Sequence, residues 1–232
     1  MSFADSTGDA IPFYHEGKYH IFSLTSPPGT TVYPERLRTT WSHSISDDLV
    51  HWQELPTALY PGEGDEPDAS GVWTGSVIYG EGQYHAFYTG YCLTAEFQQT
   101  ICHATSDDGI TWTKDIANPV ITPMTELYEK LDWRDPYVFY NEEDENYWIL
   151  ISARRLDMPV TRRGCIVLYR SKNLKDWTYY GPIYSPGHTN CPECPEMYKM
   201  GGHWYLSYSR FSEFVNTIYR VSESPFWSVE KT

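Results

Sequence analysis

The most constraining feature of this sequence is an internal repeat with a period of about 60 residues. A tyrosine-rich segment follows a short turn in each copy, at residues 17–22, 82–88, 146–150 and 202–208. A second segment ends in serine, continues through acidic or polar residues and reaches tryptophan. Its copies lie at residues 46–52, 106–112, 171–177 and, more weakly, 222–227. Because the copies occupy nearly the whole chain, they predict one supersecondary unit repeated four times.

Each repeat predicts four antiparallel strands joined by short polar turns. Asp48 and Asn173 suit such turns, because Asp and Asn tolerate left-handed backbone and bind nearby amides. Radially repeated four-stranded sheets form a β-propeller, which protects its edge strands by closure. A β-sandwich is the alternative, although it does not predict this repeat. We therefore expect an all-β fold, a β-propeller with about four blades, as a single domain over residues 1–232. Little helix is expected beyond one or two turns at residues 124–130.

Composition limits the classes of partner and cofactor. The net charge of −14 argues against nucleic acids and anionic membranes as partners. No apolar run is long enough to span a membrane. Residues 1–5 lack the features of a signal peptide, so we expect a cytoplasmic protein, or a secreted one if a leader was removed. The five cysteines do not form a disulfide framework pattern. Cys191 and Cys194 have the spacing of a zinc or redox motif, but no second pair completes it. We expect no metal and no cofactor.

Residues 131–140 predict a buried strand that opens on a charged pair. Arg134 and Asp135 are tolerable there only if they pair with each other or face polar groups. Pro136 cannot donate a ladder hydrogen bond, so it belongs at the first residues of a strand. The pair therefore lies where the sheet opens toward solvent or a ligand. A structural salt bridge is the alternative interpretation.

An acid stands at the start of the strand that precedes the tyrosine-rich segment in three of the four repeats. These acids are Asp9, Asp135 and Glu193, whereas the second repeat has residues 73–76 there. In a propeller this strand is the innermost one and lines the central channel. Converging carboxylates raise one another's pKa unless a cation or a substrate compensates. Such clusters are typical of acid–base chemistry.

Two carboxylates that flank a sugar carbon are what glycoside cleavage requires. A third can bind sugar hydroxyls, and the abundant tryptophans and tyrosines can supply surfaces for sugar rings. Calcium binding is the main competing chemistry. Ligands scattered over separate blades suit a channel site better than a compact calcium loop.

These elements resemble glycoside hydrolase family 32, the β-fructofuranosidases, over nearly the whole chain. Residues 46–61 look like the family segment S-x-D-L-x-H-W-x-x-x-P-x-A-L-x-P. Residues 73–76 resemble its F-S-G-S motif, residues 134–136 its R-D-P motif and residues 193–195 its E-C-P motif. The family has a five-bladed propeller, so the resemblance implies that architecture here.

The resemblance also implies roles for individual residues. Asp9 would be the nucleophile, Asp135 the transition-state stabiliser that binds sugar hydroxyls, and Glu193 the general acid/base. Glu196 stands where the family has an Asp and is expected to be a structural strand residue. Five further residues would shape the sugar pocket: Arg134, His43, Trp73, Thr74 and Ser76.

The chain departs from the family pattern in three places, one of which is residues 23–28, where the family's Gln and Asn are missing. Gly8 and Ala10 flank Asp9 where the family has Asn and Pro in its opening W-M-N-D-P-N-G motif. A fifth blade and the usual C-terminal β-sandwich are not evident before Thr232. We therefore expect either a truncated chain or self-association that completes the propeller.

The predicted function is a retaining glycoside hydrolase that cleaves β-fructofuranosides, with a disaccharide or an oligosaccharide as substrate. The alternatives are an inverting arabinan-cleaving or other furanoside-cleaving propeller, a fructosyltransferase, and a non-catalytic carbohydrate-binding propeller. Retaining enzymes need their two catalytic carboxyl groups ~5–5.5 Å apart, and inverting enzymes need a wider gap.

Overall fold

The computed structural model describes residues 7–210 and 215–226. The chain divides into two compact units, residues 1–120 and 121–232, each with two antiparallel sheets that we call blades. Trp227, with which the fourth copy of the repeat ends, lies outside the described residues, as do residues 1–6. The single domain over residues 1–232 stays a prediction.

The first unit contains blades 1 and 2, whose strands follow one another in simple up-and-down order. Blade 1 consists of β1 (Thr7–His15), β2 (Lys18–Thr25), β3 (Thr40–Ser46) and β4 (Trp52–Leu59). Blade 2 consists of β5 (Gly71–Gly80), β6 (Gln83–Tyr91), β7 (Gln99–Ser106) and β8 (Thr113–Lys114). A 3₁₀-helix, Glu35–Leu37, lies between β2 and β3.

The second unit repeats this order in blades 3 and 4. Blade 3 consists of β9 (Arg134–Asn141), β10 (Asn146–Arg154), β11 (Gly164–Ser171) and β12 (Thr178–Tyr184). In blade 4 the structure describes β13 (Glu193–Met200), β14 (His203–Arg210) and β15 (Asn216–Ser222). A 3₁₀-helix, Val160–Arg162, precedes β11. At residues 124–130 the amides of Leu127 and Tyr128 bind the Met124 carbonyl, which makes a single turn.

The serine-to-tryptophan segment forms the same turn in blades 1, 2 and 3. The third strand of every blade ends on the serine that the repeat predicted. In blade 1 the Asp48 carboxylate accepts the backbone amides of Val50 and His51, at 2.9 and 2.8 Å. Asp108 and Asn173 bind the corresponding amides in blades 2 and 3. The predicted capping by Asp and Asn is therefore confirmed.

A tyrosine pair joins the first two strands of every blade. The two rings lie directly opposite each other, with centroids 4.8–5.4 Å apart: Tyr14 with Tyr19, Tyr79 with Tyr84, Tyr140 with Tyr147, and Tyr198 with Tyr205. Aromatic cross-strand pairs stabilise a hairpin by roughly 0.2–1 kcal/mol each. The tyrosine-rich segment of the repeat is thus the strand that closes the first hairpin.

Each unit has its own hydrophobic core shared by its two blades. In the first unit Phe22 and Trp41 of blade 1 pack in one cluster with Val72 and Tyr88 of blade 2. In the second unit a corresponding cluster joins β10 and β11 to β13 and β14. The predicted fold class, an all-β propeller built from antiparallel blades, is confirmed. No helix in the described residues is long and apolar enough to cross a membrane.

Candidate active site

The first strand of every blade carries a β-bulge near its start. In each blade two residues of the first strand face one residue of the second strand. The bulged residues are Gly8 and Asp9, Trp73 and Thr74, Asp135 and Pro136, and Cys194 and Pro195. A bulge bends its strand and re-aims side chains, and bulges are frequent next to active sites. The three segments that resemble the F-S-G-S, R-D-P and E-C-P motifs therefore share one local structure with the segment around Asp9.

The register shows that the three predicted acids occupy successive positions around the bulge. Glu193 is the residue before it, Asp135 is its first residue and Asp9 is its second residue. The sequence placed all three at the opening of the first strand, which is confirmed. It did not reveal the stagger of one residue between them, because the stagger depends on strand pairing.

In the first unit, Asp9 contacts Thr74 across the two blades. The Thr74 hydroxyl donates a short hydrogen bond to Asp9 Oδ2. The Thr74 carbonyl accepts the Thr89 hydroxyl at 2.9 Å, which ties the bulge of β5 to the neighbouring strand. Thr74 is buried and Asp9 is exposed. The Asp9 carboxylate is therefore exposed and is oriented by a buried donor.

Trp73 is held in place on both sides of its ring and through its backbone. The ring stacks on Tyr91 with centroids 4.2 Å apart, and Nε1 donates to the Leu37 carbonyl at 3.0 Å. The Trp73 carbonyl accepts Nε1 of Trp41 at 3.0 Å. Trp73 therefore provides a fixed, half-buried indole beside the Thr74–Asp9 contact. Ser76 lies further along β5, where it is buried opposite Phe87.

His43, which was predicted to help shape the sugar pocket, lies in the packed interior of blade 1. The side chain lies in the core of blade 1, and the residue is only 2% exposed. Its ring stacks on Phe22 at 4.1 Å, and Nε2 lies 3.0 Å from Nδ1 of His20. Strand alternation places His43 on the buried face that also carries Trp41. The ring therefore contributes to the packing of blade 1, and its part in shaping the sugar pocket stays a prediction.

In the second unit, Asp135 is fixed by the bulge of the next blade. Its φ of 55° is unusual for a residue with a side chain, although Asp adopts this conformation more readily than most. Asp135 Oδ2 accepts the backbone amide of Cys194 at 2.9 Å and lies 3.7 Å from Arg134 Nε. Asp135 is buried, so its carboxylate has a defined orientation.

Arg134 connects the acids of blades 3 and 4. Its Nη2 donates to Glu193 Oε1 at 2.6 Å and lies 3.5 Å from Cys191 Sγ, and its Nη1 donates to Asp132. The Glu193 side chain is 29% exposed, whereas that of Arg134 is 12% exposed. The charged pair predicted at the strand end is present, but the main partners of Arg134 are Asp132 and Glu193. Cys191 contributes a thiol contact, and no disulfide forms among the five cysteines, all of which the structure describes.

Sequence reasoning missed the residues that support Arg134. Asp132, Arg154, Glu129 and Arg163 continue a chain of ion pairs away from it. Asp132 could have been suspected, because it adds a third charge to a short stretch that also holds Arg134 and Asp135. Glu129 lies three residues before Asp132, whereas Arg154 and Arg163 lie much later in the chain, and no motif links the three.

The chain matches a family model described as the Glycosyl hydrolases family 32 N-terminal domain, over residues 10–225. This chain belongs to glycoside hydrolase family 32. Asp135 and Glu193 lie inside the matched residues, and Asp9 lies immediately before them.

Among curated family 32 relatives, a levanase of Bacillus subtilis is 33% identical over 198 residues. A raffinose invertase of Escherichia coli is 32% identical over 202 residues. The alignments cover 81% and 83% of this chain but only 26% and 39% of those relatives. The chain therefore spans well under half the length of the curated relatives that it matches.

Solved family 32 structures share the fold. The Bombyx mori GH32 β-fructofuranosidase superposes with a TM-score of 0.76 at 25% sequence identity, covering 94% of this chain and 46% of that chain. The fructan 1-exohydrolase IIa of Cichorium intybus gives a TM-score of 0.78 at 25% identity, covering 94% of this chain and 42% of that chain.

Proposed function

We propose that this chain carries the catalytic residues of a retaining β-fructofuranosidase. One observation carries the proposal: each predicted acid lies at the bulge of a first strand or directly before it, and binds a donor from the neighbouring blade of its unit. Asp9 accepts the Thr74 hydroxyl, Asp135 accepts the Cys194 amide and Glu193 accepts the Arg134 guanidinium. Fixed carboxylates of this kind are what a two-carboxylate glycosidase mechanism needs.

In the first step Glu193 donates a proton to the glycosidic oxygen while an Asp9 oxygen attacks the anomeric carbon. The bond from that carbon to the leaving oxygen breaks, and a glycosyl ester forms on Asp9. In the second step Glu193 takes a proton from water, which attacks the same carbon and releases the sugar and the Asp9 carboxylate. Asp135 binds ring hydroxyls throughout.

The substrate class follows from the relatives. The curated ones are named levanase, raffinose invertase, sucrose-6-phosphate hydrolase and exo-inulinase. These names have a β-linked fructofuranose in common, so we propose fructose as the released sugar. Trp73 offers an aromatic face next to the Thr74–Asp9 contact, and Arg134 offers a cationic donor next to Asp135 and Glu193.

The test is an assay of released sugar from sucrose, sucrose 6-phosphate, inulin, levan and arabinan. We expect fructose from at least one fructoside, and a loss of about 10²–10⁴-fold in kcat for Glu193→Gln. Glu196→Gln is the matched control, because Glu196 lies on the same strand and carries the same group. We expect it to change kcat by less than about threefold, a difference of under ~1 kcal/mol.

Three results would contradict parts of the proposal. Release of arabinose would keep a propeller glycosidase but overturn the sugar. Carboxyl groups of Asp9 and Glu193 placed well beyond ~5.5 Å in a crystal structure would indicate inversion. Sugar binding without any turnover by the folded protein would identify a carbohydrate-binding propeller.

A further inference from the structure

A network of alternating positive and negative side chains extends from Glu193 to residues in and around blade 3. Each carboxylate in it lies between two arginines or at the end of the network. In order, its members are Glu193, Arg134, Asp132, Arg154, Glu129 and Arg163. Four of these residues do not belong to any motif of the family resemblance.

Asp132 uses both of its carboxylate oxygens in this network. Oδ1 accepts Nη1 of Arg134, and Oδ2 accepts Nη1 of Arg154 at 3.1 Å. Burial alone would raise the pKa of Asp132, but the two guanidinium groups outweigh it and lower the pKa overall. Asp132 is therefore a carboxylate that joins two arginines.

The far end of the network is tied to backbone. Glu129 lies 3.2 Å from Arg154 and also binds Arg163, and the amide of Glu129 donates to the Arg154 carbonyl at 2.9 Å. Arg154 donates to the Val160 carbonyl at 3.1 Å, and Arg163 to the Met158 carbonyl at 2.8 Å. These contacts give Arg154 a fixed position from which to hold Asp132.

Contacts at both ends of its planar guanidinium group orient Arg134. Nη1 contacts Asp132 and Nη2 contacts Glu193. Because the fork of a guanidinium is rigid, fixing one end of it sets the direction of the other. Four charged or titratable groups lie against Arg134: Asp132 on the preceding loop, Asp135 on β9, and Cys191 and Glu193 at the start of blade 4. A fifth, Arg154 on β10, is linked to Arg134 through Asp132.

We propose that Asp132 is a positioning residue, which directs Arg134 onto Glu193 and is itself anchored through Arg154. The inference rests on the proposed function, in which Glu193 transfers the proton. The acid/base must stay within hydrogen-bond reach of the glycosidic oxygen, and a displacement of about 1 Å can lower the rate by about 10²-fold.

The backbone at Asp132 allows a clean substitution. Its φ is 61°, a conformation that Gly and Asn adopt with little strain. The next residue, Trp133, is fully buried and packs on Tyr128 with centroids 5.4 Å apart, which anchors the loop. Asp132→Gly removes the side chain, and Asp132→Asn keeps its shape but cannot accept from both arginines.

Steady-state kinetics give the first readout. We expect Asp132→Gly and Asp132→Asn to lower kcat by about 10- to 100-fold and to change KM by less than about threefold. Asp157→Asn is the matched control, because Asp157 binds only Arg155 among the ion pairs of this region, at 2.6 Å. We expect it to leave kcat unchanged. A merely stabilising Asp132 would lower the melting temperature without this split between kcat and KM.

A crystal structure of Asp132→Gly gives a second readout that does not need turnover. We expect the distance between Arg134 Nη2 and Glu193 Oε1 to increase beyond ~3.5 Å, the limit for a hydrogen bond. Retention of that contact in the variant overturns the proposal, whatever the activity. Wild-type protein that releases no sugar would refute the proposed function, and movement of Arg134 would still support the positioning role of Asp132.

Discussion

The buried histidine pair of blade 1 predicts a specific loss of stability in mild acid. Burial, and to a smaller degree the neighbouring His20, lower the pKa of His43 from 6.5 to about 3. Between these two values the unfolded chain binds one proton more than the folded chain. The free energy of unfolding therefore keeps its full value above about pH 6.5 and falls as the pH falls toward 3.

The expected size of this effect follows from the shift. Each pH unit between the two values costs about 1.4 kcal/mol, so at pH 4 the loss reaches about 3 kcal/mol. That is a large part of the ~5–15 kcal/mol by which a folded domain is stable. The pKa of His20 is lowered too, so it adds a loss of the same sign.

Urea unfolding at several pH values between 4 and 8, at constant ionic strength, measures this loss. The variant is His43→Gln, which can still hydrogen bond to His20 but cannot take up a proton. We expect its free energy of unfolding to fall less steeply with acid, by up to about 1.4 kcal/mol per pH unit. Equal slopes for wild type and variant would refute the reasoning, and a general destabilisation would not, because it shifts the curve without tilting it.

His51 provides a control of opposite sign. The hydrogen bond that His51 Nδ1 donates to the Asp48 carboxylate raises the pKa of His51, an exposed residue of the turn after β3. A raised pKa stabilises the folded state below the unfolded value, and this contribution is lost as the pH rises through the folded value. The free energy of unfolding of His51→Gln should therefore fall slightly more steeply with acid than that of the wild type, whereas that of His43→Gln should fall less steeply.

Two further predictions concern the bulge of β5. Thr74→Val removes the hydroxyl donor to Asp9 and should lower kcat/KM by about 10- to 100-fold, since a hydrogen bond to a charged group contributes about 1.5–3 kcal/mol. Thr74→Ser keeps the hydroxyl and should retain most of the wild-type kcat/KM. An unchanged kcat/KM for the valine variant would contradict the role of this contact. Gly75→Ala would place a methyl group 2.0 Å from the Phe87 carbonyl oxygen. Because backbone cannot move away cheaply, we expect thermal unfolding to show a loss of about 3 kcal/mol or more, and a loss below 1 kcal/mol would show that the strands can separate there.

The repeat made the elements predictable, because short-range chemistry determines them. Ser46 and Asp48 predicted both the end of a strand and the turn after it, since an Asp at this spacing binds the amides two and three residues ahead. The same reasoning held for Asn173 in blade 3. The ends of the third strands and the capped turns of blades 1 to 3 were therefore accessible from sequence.

Strand pairing and burial were harder to predict from the sequence. The bulges depend on which residues of the second strand lie opposite, and no local pattern states that. The family resemblance assigned His43 to the sugar pocket, whereas the alternation of β3 puts it on the same buried face as Trp41. Arg154, which binds Asp132, lies on β10, so the two could not be connected before the fold was known.

The bulges also explain how a repeated blade produces a site with unlike groups. Within each unit, residues at the same register position of the two blades lie side by side, and three such pairs are in contact. Thr74 binds Asp9 at the second bulge position, and the Cys194 amide binds Asp135 at the first.

The third pair, Arg134 and Glu193, lies at the position before the bulge. In each pair one blade supplies a carboxylate and its neighbour supplies a donor. Identical residues at these positions would bring like groups together, and two carboxylates there would repel each other. The repeats differ from one another at the bulge although the rest of each blade is similar. This difference places a donor, rather than a second carboxylate, against each of the three acids.

This reasoning predicts that Thr74→Asp, which places a second carboxylate against Asp9, makes the first unit less stable than Thr74→Val does at neutral pH. In acid, where the added carboxylate is protonated, we expect this difference in stability to disappear. Equal stability of the two variants across that pH range would show that the pairing of unlike groups is not required.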